Sequence, residues 1–78
     1  MVFDFSKLIG RIIEKFGTRS AFAEAAGYTK SQLSDRLNNK VYFDLIEIRK
    51  LCAPELLDLS DADIPVYFFK LKFEKSNA

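Results

Sequence analysis

Residues 18–40, TRSAFAEAAGYTKSQLSDRLNNK, decide how this chain folds. From Arg19, the apolar residues Phe22, Ala23 and Ala26 share one helical face, and Leu33 with Leu37 continues an apolar face in the following segment. Two helices that cross steeply need a small side chain where they touch, and Ala23 supplies it. Gly27 supplies the turn, because glycine takes a positive φ without a Cβ penalty. Thr29 and Gln32 have the spacing of a capping box, in which each side chain satisfies the other's backbone N–H, and Tyr28 with Leu33 forms the flanking hydrophobic staple. The spacing therefore predicts helices over 19–26 and 29–38. Asn38 and Asn39 end the second, since asparagine tolerates the left-handed conformation.

Working outward, Asp4 is expected to cap a helix over 4–16, with Phe3 and Leu8 as its staple and Leu8, Ile9, Ile12, Ile13 and Phe16 as its buried stripe. Gly10 marks either a close helix contact or a tolerated surface position. Gly17 ends this helix and Thr18 caps the next. Beyond the apolar connector Val41-Tyr42-Phe43, Asp44 and Glu47 form a second capping box and open a helix over 44–52. Its expected buried side is Leu45, Ile48, Leu51 and Cys52. Pro54 is at home in a first turn, so 54–58 reads as a short extra helix. From Ile64 the period changes: Tyr67, Phe69, Leu71 and Phe73 alternate with Phe68, Lys70, Lys72 and Glu74, predicting an extended segment over 65–74. A lone strand is unstable in water, so this one is expected to fold back on the helices, to pair with its twin in a dimer, or to stay mobile until a partner arrives. Ser76-Asn77-Ala78 is expected to fray.

Seventy-eight residues make one domain, 1–78, and 49% hydrophobic content with 8 phenylalanines supplies its core. Cys52 is the only cysteine, so no disulfide framework exists and a reducing cytoplasm is expected. Asp4, Lys7, Arg11, Glu14 and Lys15 interrupt the amino-terminal apolar residues, which argues against a signal peptide or a membrane span. With 0 histidines the chain lacks imidazole acid–base chemistry and the commonest metal ligand, so no enzyme activity, cofactor, metal or small-molecule substrate is expected. The acidic stretch 57–63 lacks the mid-loop glycine of a calcium site, with Phe69 where the closing glutamate would stand. Net charge is only +1, yet Arg19, Lys30, Arg36 and Lys40 gather on one stretch while Glu55, Asp58, Asp61 and Asp63 gather on another, so one side can still be positive.

The pattern Phe22-Ala23, Gly27, Thr29, Leu33 and Asn38 resembles the helix-turn-helix of bacteriophage repressors and Cro proteins. MVFDFSKLIGRIIEKFG, LNNK and IPVYFF resemble small regulators encoded by phages and prophages of Gram-positive bacteria. The resemblance implies an all-α, compact five-helix, lambda-repressor-like domain acting in the bacterial cytoplasm. It places Lys30, Ser31 and Asp35, with Ser34 beside them, at base-reading positions, and Gln32 where its capping role competes with reach into the groove. Arg19, Ser20, Asn38, Asn39 and Lys40 match phosphate-holding positions. Asp35 is useful there only opposite a cytosine, or when neutralised by Arg36 or Lys30. The leading expectation is a Cro-like homodimer on double-stranded operator DNA, its recognition helices about 34 Å apart. The alternative is an antirepressor that docks on a phage repressor protein, which suits the near-neutral charge, Asp35 and the aromatic tail.

Overall fold

Gly17 and Gly27, both at φ 81°, separate the first three helices from one another. The computed structural model of the chain describes residues 2–72. Within them the α-helices are α1 Ser6–Phe16, α2 Arg19–Ala26, α3 Lys30–Leu37, α4 Leu45–Leu51 and α5 Ile64–Phe68, the last entered through a 3-10 turn at Asp61–Asp63. The expected caps form. The Thr18 hydroxyl accepts from Ala21 N–H at 3.0 Å. Thr29 and Gln32 exchange bonds of 2.9 and 3.1 Å, and Asp44 and Glu47 exchange bonds of 2.8 and 3.1 Å. Each satisfies amide groups that a helix start leaves without intrahelical partners.

The core draws on every helix and on the long connector: Phe22, Phe68, Leu8, Ile12, Leu33, Ile48, Leu51 and Leu57 are almost wholly buried. Burying each such side chain contributes roughly 1.5–3 kcal/mol. Ala23 and Ala26 are also buried, which lets α2 approach its neighbours closely.

Four expectations are corrected. First, α1 starts at Ser6 because residues 2–4 are drawn into an antiparallel pairing: Asp4 N–H donates to Lys70 C=O at 2.7 Å and Lys72 N–H to Val2 C=O at 2.9 Å, flanking a Phe3–Leu71 bridge. The Asp4 carboxylate still serves the helix start, accepting from Ser6 N–H at 2.9 Å and from its hydroxyl at 2.6 Å.

Second, 54–58 is a run of turns. Leu57 N–H returns to Leu51 C=O, Asp58 N–H to Ala53 C=O and Leu59 N–H to Cys52 C=O, while the Arg11 side chain takes the carbonyls of Leu57 and Asp58 at 2.9 and 3.2 Å. The backbone groups a helix would have paired locally are satisfied from a distance.

Third, the expected extended segment begins as α5. Asp63 accepts from the Ser60 N–H and hydroxyl, both at 2.9 Å, and Pro65 sits in the first turn, where its missing N–H costs nothing. Ile64, Tyr67 and Phe68 then turn inward at helical spacing. Extended pairing survives at residues 70–72; 73 and 74, and the expected fraying at 76–78, lie outside the described residues.

Fourth, Ile13 and Leu45 are exposed rather than buried. The core is already filled by Leu8 and Ile12 on α1, and the first turn of α4 projects past Ile48.

Candidate functional site

Two faces of the molecule offer themselves to a partner. The first joins α2 and α3. Arg19 and Ser20 in the first turn of α2, and Lys30 and Ser34 on α3, line a shallow cleft of about 180 Å³ floored by Ala23, Leu33 and Leu37. Arg19 and Lys30 enter no ion pair among the described residues. Ser31 and Lys40 are exposed nearby in sequence.

The other residues singled out in the sequence fare differently. Gln32 spends its side chain on the cap of Thr29. Asn38 Nδ2 donates to Ser34 Oγ at 3.1 Å. Asn39 turns away altogether: its amide accepts from Phe3 N–H at 2.7 Å and donates to Phe3 C=O at 3.0 Å. Asp35 is half-buried, and its carbonyl accepts from Lys40 N–H at 2.8 Å and Val41 N–H at 3.3 Å. Neither proposed neutraliser pairs with it among the described residues, because Arg36 spends its charge elsewhere.

That charge goes to Glu47. Arg36 Nε meets Glu47 Oε1 at 2.5 Å, and the Tyr28 hydroxyl donates to the same oxygen at 2.6 Å. The guanidinium also lies 5.0 Å from the Tyr28 ring centroid, a favourable cation–π distance. Burial by itself would raise the Glu47 carboxyl, but the hydrogen bonds from Tyr28, Arg36 and Asp44 N–H outweigh it and bring the pKa to about 2. Burial, and then the bond to Glu47, push the Tyr28 phenol far up. The bond to Glu47 likewise raises Arg36. These groups hold fixed charge states at neutral pH and lock α3 onto α4.

The second face is built from residues to which the sequence assigns no partner. Tyr42, Leu45 and Ile46 are 62%, 74% and 82% exposed, one after another on the connector and first turn of α4. Beside them runs a groove of about 320 Å³ lined by Leu45, Ile48, Arg49, Asp61 and Ile64, with Arg49 and Asp61 paired at 2.6 Å. On the other side Tyr42 stands edge-on to Phe3, with centroids 6.1 Å apart, and Phe3 edge-on to Phe69 at 5.9 Å. A sequence signal existed. Leu45 and Ile46 are adjacent on a helix that already buries Ile48 and Leu51, and one narrow stripe cannot cover all of them.

Comparison with known proteins gives a consistent result. The family described as "Protein of unknown function (DUF739)" matches residues 1–71. No curated protein is significantly similar to the chain. Among solved structures, the solution structure of the modulator of repression of the temperate bacteriophage TP901-1 from Lactococcus lactis is similar at 43% identity with a TM-score of 0.76, over 88% of this chain and 90% of that one. Among the described residues no helix is long and apolar enough to cross a membrane.

Proposed function

This chain belongs to the DUF739 family, and from that premise we propose that it is a modulator of repression that acts by docking on a phage repressor protein. The observation that carries the reading is the uncovered apolar run Tyr42, Leu45 and Ile46. Large contiguous apolar patches, beyond a few hundred Å², are rare on soluble proteins and mark interaction sites, and a helix presenting its apolar side to a groove is a standard mode of protein recognition. The class of partner follows from the likeness to a phage modulator of repression along nine-tenths of that protein. The repressor is thereby withheld from its operator.

The test is titration calorimetry against the repressor of the phage genome that carries its gene. Wild-type protein binds; Ile46→Asp and Leu45→Asp lose about thirtyfold or more in affinity, the scale of a hot-spot loss, while melting as the wild type does. Wild-type protein that fails to bind, or Asp variants that bind unchanged, would overturn the reading.

Operator contact through α3 is a second reading, favoured by Arg19 and Lys30 standing free of ion pairs among the described residues. Lys30, Ser31, Ser34 and Asp35 would then face bases, and Arg19, Ser20, Asn38 and Lys40 phosphates, in a homodimer on double-stranded DNA. Gln32 and Asn39 drop out, their amides being engaged within the fold. A mobility shift of DNA from its own control region by the protein alone, lost in Lys30→Ala, would favour this reading over the first.

A further inference from the structure

We propose that Asn39 is a positioning residue for the docking face: it fixes the Phe3 ring against which Tyr42 and Phe69 are set, without itself meeting the partner. The inference rests on the docking function proposed above.

Asn39 lies just past α3 at φ 62°, in the left-handed region that asparagine enters more readily than other non-glycine residues. That backbone turn aims the side chain across the molecule at a residue 36 positions away. In the antiparallel pairing of 2–4 with 70–72, the bonds toward the carboxy-terminal segment are made by Val2 and Asp4. The N–H and C=O of Phe3 therefore face the opposite edge, as the alternation of an antiparallel ladder requires. Asn39 meets both of them, at 2.7 and 3.0 Å. Its primary amide takes the place of a third strand, one residue long.

Three chain segments meet at this point: the amino-terminal arm, the connector after α3 and the carboxy-terminal segment. Each contributes a ring to the face. Phe3 stands between Tyr42 and Phe69, edge-on to both, and its inner side meets Phe5 at 6.0 Å. Tyr42 and Phe69 are the exposed members, and rings already set before binding lose less freedom when a partner arrives. The Asn39 side-chain amide thus acts on the face through Phe3.

The experiment is a double-mutant cycle between Asn39→Gly and Tyr42→Ala, read by calorimetry against the repressor of the phage genome that carries its gene. Glycine keeps the left-handed backbone and deletes the amide. Nuclear Overhauser effects between Phe3 and the rings of Tyr42 and Phe69 report the outer ring setting, and those between Phe5 and Phe43 and between Phe43 and Phe68 report the folded core. The expected result is about tenfold weaker binding by Asn39→Gly, with the outer Overhauser effects abolished and the core ones retained, and a much smaller loss in the Tyr42→Ala background, since coupled positions are non-additive. Equal losses in both backgrounds, wild-type affinity in Asn39→Gly, or weaker binding with every Overhauser effect unchanged would each overturn the positioning role. If the wild type itself does not bind, the docking function falls and this inference with it; if it binds and Asn39→Gly binds equally, only the positioning role falls.

Discussion

Glu47 accepts from the Tyr28 hydroxyl, the Arg36 guanidinium and Asp44 N–H, and these bonds overcome the burial that would otherwise favour its neutral form. Its carboxyl sits at about 2 against an ordinary 4.5. A depressed folded-state pKa means that the stabilisation is complete above the ordinary value and is lost as pH falls through the folded one. Urea unfolding midpoints should therefore drop between pH 4.5 and 2. In Glu47→Gln, which keeps the cap but not the charge, stability at neutral pH should fall by about 1–3 kcal/mol and the acid slope should flatten. Some slope should remain, because hydrogen bonds from Ser6 and Ser60 also hold the Asp4 and Asp63 carboxyls below their usual range. Half of what Glu47 does was readable in advance, since its bond to Asp44 lies within one helical turn. Tyr28 and Arg36 reach it from 19 and 11 residues away, a distance at which spacing carries no signal.

Helices whose ends are marked by side chains formed where expected; those marked by chain entry from elsewhere moved. α2, α3 and α4 carry their own caps and lie within a residue of the predicted ranges. The start of α1 shifted because residues 2–4 pair with 70–72, and α5 stands where the alternation predicts an extended start because Ser60, Asp63 and Pro65 set a helix beginning that local alternation masks. Glycines give a direct test at this scale. A Cβ at Gly10 would meet nothing within 4 Å, so Gly10→Ala should stabilise α1 by about 1 kcal/mol. Gly27, at φ 81°, cannot accept a side chain without strain, so Gly27→Ala should destabilise by about 1 kcal/mol or more. Thermal melts of the two variants should move in opposite directions.

At the scale of the whole molecule two candidate faces differ in character: Arg19 and Lys30 flank the α2–α3 cleft, while Tyr42, Leu45 and Ile46 leave the start of α4 uncovered. With a net charge of +1, the long-range attraction to phosphates is weak, and the proposed protein contact does not depend on it. In footprinting, the protein alone should leave its operator region unprotected and should remove the protection given by the repressor, and Ile46→Asp should restore that protection. Local spacing was enough for the helical class, the capped central helices and the Gly27 turn, because capping bonds and left-handed glycines act within a few residues. Which polar groups remain free, and which apolar side chains lack cover, was settled only when distant segments met. Arg11 on the Leu57 carbonyl, Arg36 on Glu47 and Asn39 on Phe3 are pairings between segments far apart in the chain. Leu45 and Ile46 are exposed because the core is complete without them, a property of the packed whole rather than of the helix that carries them.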